Sequence, residues 1–125
     1  MPSSTGVTST RVGHCVVVTV TQDLGDGVMD ALRRVLLDGV QIAGASAAIL
    51  DLSAVPFMDS TEFAQVRAAL RMAELLGART MLVGLQPGII VHLLSVDADV
   101  AGVRASVGLE EALHAMQAGA KAGDA

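Results

Sequence analysis

The sequence predicts a single α/β domain in which short strands alternate with helices. Three observations carry that prediction. Runs of four to eight residues rich in Val, Ile and Ala alternate with longer segments whose apolar residues recur at helical spacing. One grammar, helix then Gly-Ala then short apolar strand, occurs twice, as IAGASAAILDL over 42–52 and LLGARTMLVGL over 75–85. A chain of 125 residues with 52% apolar content is long enough to bury one core. Alternation of this kind packs as a mixed or parallel sheet with helices against it.

The elements follow in order. Residues 1–13 are rich in Ser, Thr and Gly and form an N-terminal segment, within which Val7–Arg11 can pair as an edge strand. His14–Thr21, HCVVVTVT, is dense in β-branched residues and reads as a strand buried on at least one face. Asp23–Gly27 is a turn and helix start. From there the period changes: Val28, Leu32, Val35, Leu36 and Ile42 share one stripe, with Asp30, Arg33, Arg34, Asp38 and Gln41 outside it. Gly44 ends that helix, because glycine tolerates the left-handed conformation there. A strand follows over Ala47–Leu52.

The second helix begins near Ser60, with Phe63, Val66, Leu70, Ala73 and Leu76 on its inner stripe, and Gly77 closes it. Arg79–Leu85 is the next strand. Pro87 suits the first turn of a third helix carrying Ile89, Ile90, Leu93 and Leu94. Val103–Ser106 reads as a short edge strand. A last amphipathic helix over Leu109–Ala118 has Glu110 and Glu111 in its first turn, where the helix dipole favours them. The domain is thus expected over 14–118, with 119–125 (GAKAGDA) a flexible, fraying tail.

Composition narrows the function classes. The net charge is −5, and the eight Lys and Arg residues are scattered rather than gathered in a stripe. With Phe57 and Phe63 as the only large aromatics, there is no stacking platform for single strands. Both facts point away from nucleic acid. No apolar run approaches the roughly 20 residues of a membrane span, and the polar start MPSSTGVTSTR has no apolar signal core. Cys15 is the only cysteine, so no internal disulfide forms; a lone thiol in an apolar run reads as a buried packing residue in a cytoplasmic protein.

One segment concentrates the chemistry. Ala47 to Phe63 reads AAILDLSAVPFMDSTEF: a strand ending in Asp51, a short turn, and Asp59-Ser60 at the start of a helix. Two readings of Ser60 stay open. It can be an N-cap, its oxygen accepting from free N–H groups of the first turn. It can equally be a phosphoacceptor, since a helix start is exposed and a phosphate there would add about −1.5 to −2 charge. Asp51 can shape a docking surface or bond the turn backbone, and bonding the turn is the favoured reading. Phe57 and Met58 can form an apolar contact patch beside the serine, or pack into the core. Glu62 adds negative charge next to it.

Asp51, Ser53, Val55, Asp59 and Ser60 together match D-x-[ST]-x-V-x-x-x-D-[ST], and in this the chain resembles the STAS-domain family of anti-sigma-factor antagonists. The likeness runs from about Cys15 to Met116. The segment LLGARTMLVGLQPGIIVHLL, Leu75 to Leu94, is similar to the stressosome branch of that family, in particular its small scaffold members. The resemblance implies a central sheet with about four helices packed mainly on one face. It implies a non-enzymatic partner switch in which a serine kinase of the GHKL ATPase type phosphorylates Ser60. The unmodified form would hold the kinase and the phosphorylated form would release it. The partner surface would include Asp51, Phe57, Met58, Asp59 and Glu62, and sensor-bearing STAS paralogues would join it in a homo- or hetero-oligomer. Two residues depart from the branch: Thr61 and Glu62 stand where relatives carry apolar side chains, and Thr61 is a candidate second acceptor. Pro56 in the turn is also unusual. A simple soluble antagonist and a constitutive binding module remain the alternatives.

Enzymatic readings find little support. His14, His92 and His114 lack His-x-x-x-His spacing, and no Cys-x-x-Cys exists, so a metal site has no ligand set. A Ser60–His92 hydrolase would need a G-x-S-x-G elbow, which is absent. Gly25-Asp26-Gly27 is not followed by a dinucleotide or P-loop spacing, so no cofactor is expected.

Overall fold

The computed structural model describes residues 6–124. Five strands and four helices alternate: β1 (Val7–Val12), β2 (Cys15–Val20), α1 (Asp26–Gln41), β3 (Ala47–Asp51), α2 (Ser60–Leu75), β4 (Arg79–Val83), α3 (Pro87–Ser95), β5 (Ala105–Ser106) and α4 (Leu109–Asp124). The strands lie side by side in sequence order in one mixed sheet. β1 and β2 form an antiparallel hairpin, and β2 to β5 run parallel.

The pleat sorts the core into two faces. Val16, Val18 and Val20 of β2, with Ala48 and Leu50 of β3, point to one face, where α1, α2 and α3 cover them. Cys15 and Val17, with Ala47 and Ile49, point to the other, where Ala112 and Met116 of α4 cover them. β2 and β3 are therefore buried on both sides, which is why they read as continuous apolar runs. Three helices share one face and α4 alone takes the opposite one.

Several expectations need correcting at their ends. The edge strand expected over Val7–Arg11 is present as β1 and runs one residue further, to Val12. The α4 backbone continues past Ala118 to Asp124, through most of the stretch expected to be a tail; Ala125 lies outside the described residues, as do residues 1–5 of the expected N-terminal segment. Ile42 and Leu76 were placed on core stripes by spacing, yet both are exposed. Each sits at the C-cap of its helix, where the backbone turns away before the side chain reaches the sheet.

Tight reversals set the helix ends. After α2, Gly77 adopts φ +101°. Its N–H donates to Glu74 O at 2.9 Å, while Ala78 N–H donates to Ala73 O at 3.1 Å. This is the paired-bond Schellman closure that glycine favours. Because β3 and β4 are parallel, the turns leaving their C-terminal ends emerge at one edge of the sheet, which is where open α/β sheets build their sites.

Candidate functional site: a serine at the start of the second helix

The link from β3 to α2 is held from below. Leu52, Val55 and Met58 occur at every third position and are fully buried, while Ser53, Ala54, Pro56 and Phe57 between them are exposed. Leu52 N–H donates to Val83 O at 2.9 Å and Val55 N–H to Leu52 O at 3.0 Å. Asp51, half-buried at the end of β3, accepts from Ser53 N–H at 2.9 Å and from Ser53 Oγ at 2.7 Å. That is a side-chain-closed Asx turn. Asp51 ties the turn together, in line with the favoured reading of its role.

The neighbouring β4–α3 turn buttresses this link. Gly84 has φ +79°, and a Cβ built on it would lie 2.6 Å from Ser53 Cβ and 2.8 Å from Ser53 Cα and N. Only glycine lets the two turns approach this closely. Gln86 Nε2 donates across the gap to Ser53 O at 3.3 Å. On the outer side, the Phe57 ring tilts 55° against the His92 ring of α3, with centroids 5.2 Å apart. Ser53, Gly84, Gln86 and His92 were not among the expected site residues. For Ser53 a signal was present, since a hydroxyl two residues after an aspartate fits an Asx turn.

The start of α2 departs from the capping role open to Ser60. Asp59 is the N-cap. Its carboxylate accepts from Glu62 N–H at 2.8 Å, and Asp59 N–H donates back to Glu62 Oε1 at 3.0 Å. This reciprocal pair is a capping box, with aspartate in the position where Ser or Thr often stands. Aspartate wins because it is as good a cap as serine and its charge also meets the positive end of the helix dipole. Ser60 is therefore the first residue inside the helix. It is exposed, and its hydroxyl has no hydrogen-bond partner among the described residues. Thr61 is exposed beside it.

Met58 must be withdrawn from the expected contact patch, because it is fully buried in the main core cluster. Its neighbour Phe57 is half exposed and keeps the apolar surface to itself. Exposed Asp59 and partly exposed Glu62 flank the serine, and neither has an ion-pair partner among the described residues. The edge thus shows two exposed hydroxyls without a hydrogen-bond partner among the described residues, Ser60 and Thr61, three carboxylates engaged with backbone, Asp51, Asp59 and Glu62, and one aromatic ring. Among the described residues, no three His, Cys, Asp or Glu side chains gather closely enough to hold a metal, and no helix is long and apolar enough to cross a membrane.

The family model of the STAS domain matches residues 7–115. The chain belongs to the STAS-domain family. Its fold is that of the anti-sigma-factor antagonists, and solved structures show the likeness directly. A serine-to-glutamate variant of RsbS from Moorella thermoacetica superposes with a TM-score of 0.77 at 23% identity, covering 92% of this chain and 97% of that one. A component of the stressosome, described as a signal integration and transduction hub, gives 0.70 at 20% identity, covering 90% and 98%. An anti-sigma factor antagonist from Mycobacterium paratuberculosis gives 0.67 at 21%, covering 94% and 99%. No curated protein matches the sequence. The family match starts at the first residue of β1, so the edge strand lies inside the STAS domain.

Proposed function

We propose that this STAS domain is a cytoplasmic, non-enzymatic partner-switching regulator of a bacterial stress response, with Ser60 as its phosphoacceptor. In this reading it is a small stressosome scaffold. It holds a serine kinase of the GHKL ATPase type through Asp51, Phe57, Asp59 and Glu62, and releases it once Ser60 is phosphorylated. Thr61 is a secondary acceptor, and sensor-bearing STAS paralogues are the co-assembling partners.

The observation that carries the reading is the division of labour at the start of α2. Asp59 and Glu62 satisfy the cap between them, so the Ser60 hydroxyl is exposed and structurally unemployed. A hydroxyl already bonded as a cap exchanges one backbone contact for another when it is phosphorylated, since phosphate itself binds the N–H groups of a helix start. A spare one can gain and lose a phosphate at little cost to the fold. The added charge would sit between two carboxylates with no described cation paired to them. Repulsion there is suited to expelling a bound partner.

The test is phosphorylation by a purified GHKL-type serine kinase with ATP, with the site mapped by mass spectrometry. Ser60→Ala is expected to lose the label and to retain the kinase in a pull-down after ATP is added. Labelling of Ser60→Ala equal to the parent would remove Ser60 from the role. The simple-antagonist alternative draws on the similar solved antagonists. Measuring mass after mixing with a sensor paralogue separates the two: a shell of megadalton order fits the scaffold, a small heterocomplex the antagonist.

A further inference from the structure

The third helix grips the link ahead of Ser60 from outside. Leu52, Val55 and Met58 hold that link to the core from beneath, but Ser53 and Phe57 face away from the core and take their contacts elsewhere. Every polar group of Ser53 is engaged. Its N–H and hydroxyl donate to Asp51, and its carbonyl accepts from Gln86 Nε2 at 3.3 Å, its partner among the described residues. Gln86 is the N-cap of α3, yet its side chain makes no capping bond. Its main chain starts the helix, its carbonyl accepting from Ile89 N–H at 2.9 Å, which leaves the side-chain amide to cross to the link. Four residues after Ser53, Phe57 sets its ring against His92 of the same helix, with centroids 5.2 Å apart. Gln86 and His92 are thus about 9 Å apart along α3, at 1.5 Å per residue. Ile89 and Leu93 seat this helix in the core, whereas Ile90, Val91 and Leu94 stay exposed. Both ends of the exposed stretch 53–57 are therefore tied to a single helix.

We propose that Gln86 and His92 are positioning residues for Ser60: α3 holds the outer side of the 53–57 link, and with it Phe57, in the arrangement a kinase docks on. This rests on the reading of Ser60 as the acceptor. Neither side chain bonds Ser60, and the start of α2 is closed by Asp59 and Glu62 alone. Cutting a tether therefore leaves the surroundings of the hydroxyl unchanged. What changes is the order of the link before the partner arrives. A loosened link has to be reordered on docking, and that cost is subtracted from affinity. The loss then falls on KM and spares kcat. The buried anchors remain in place, so the fold survives.

The experiment measures amide exchange and phosphorylation kinetics side by side on the full chain, with a purified GHKL-type serine kinase and ATP. The reporters are Ser53, Val55 and Asp59, whose N–H groups are bonded within the link and the cap. In Gln86→Ala and His92→Ala their exchange should quicken, and KM for the protein should rise, each about two- to tenfold, the scale of one exposed hydrogen bond or ring contact. The thermal melt and kcat should stay near those of the parent. His92→Phe keeps a ring against Phe57 and should restore both readouts. Gln86→Glu sets an acceptor against the Ser53 carbonyl and should not restore them. Val91→Ala, exposed on the same helix and part of neither contact, should behave as the parent does. Unchanged exchange in both alanine variants overturns the proposal whatever the kinase does. So does a loss confined to kcat, a His92→Phe that fails to rescue, an equal effect of Val91→Ala, or a melt lowered enough to make the two residues merely structural. Equal labelling of Ser60→Ala and the parent would instead remove the acceptor reading and leave the exchange result standing, so the two failures are told apart.

Discussion

Replacing Asp59 and Ser60 one at a time separates the cap from the acceptor. Asp59→Ala removes an acceptor bonded to Glu62 N–H at 2.8 Å and leaves the reciprocal Glu62 bond without its counterpart. Loss of an N-cap aspartate costs about 0.5–2 kcal/mol, typically about 1. Loss of a negative charge at the helix start adds about 0.3–1. Both groups face solvent, so the sum stays near 1–2 kcal/mol. In a domain of this size that lowers Tm by about 4–8 °C. Asp59→Asn keeps a capping oxygen and should lose only the charge contribution, about 0.3–1 kcal/mol. Ser60→Ala removes a hydroxyl with no partner and puts the best helix former inside the first turn, so its effect should stay within about 0.5 kcal/mol of zero. Urea titration and thermal melting of the three variants measure this directly. If Ser60→Ala costs as much as Asp59→Ala, then Ser60 is the cap, and the account of a spare hydroxyl fails.

Three further outcomes follow from the same geometry. Met58→Ala should cost about 2–5 kcal/mol by opening a cavity in the core, whereas Phe57→Ala should cost under about 1 kcal/mol and weaken kinase capture; a reversed order in chemical denaturation would contradict the burial of the two side chains. Gly84→Ala combines a positive φ with a Cβ placed 2.6 Å from Ser53 Cβ, so it should destabilise by at least about 2 kcal/mol and slow Ser60 phosphorylation through the displaced turn; a neutral melt would refute the close approach. Burial pushes the Cys15 thiol up from its ordinary value, with Arg79 and Arg11 partly opposing the shift. The unfolded chain then ionises that thiol first, so its contribution to stability is complete below the ordinary thiol range and is lost as pH rises through it. Cys15→Ala should flatten that alkaline loss, and denaturant melts from pH 7 to 10 would expose the opposite slope if it existed.

Much of the fold was legible in the chain because its signals are local. Strand β2 declares itself by four valines in six residues, α3 by Pro87, and the ends of α1 and α2 by Gly44 and Gly77. Local periodicity could not tell where a stripe stops meeting the sheet, which is why Ile42 and Leu76 were placed inside and lie outside. It could not tell Phe57 from Met58 either, since two adjacent apolar residues in a turn differ only in which way the backbone points them.

The sequence by itself determined the order of elements, the mixed sheet and the presence of an aspartate–serine pair at a helix start, because propensity, periodicity and turn chemistry act over a few neighbouring residues. The cap that Asp59 takes, freeing Ser60, is likewise local, its bonds closing over three residues; tertiary structure alone decided that Gly84 and Gln86 press on Ser53, that α4 crosses to the opposite face, and that half of α3 is left uncovered. Those outcomes depend on which groups compete for the same space and the same hydrogen-bond partners. That competition is settled only when segments distant in the chain are packed together.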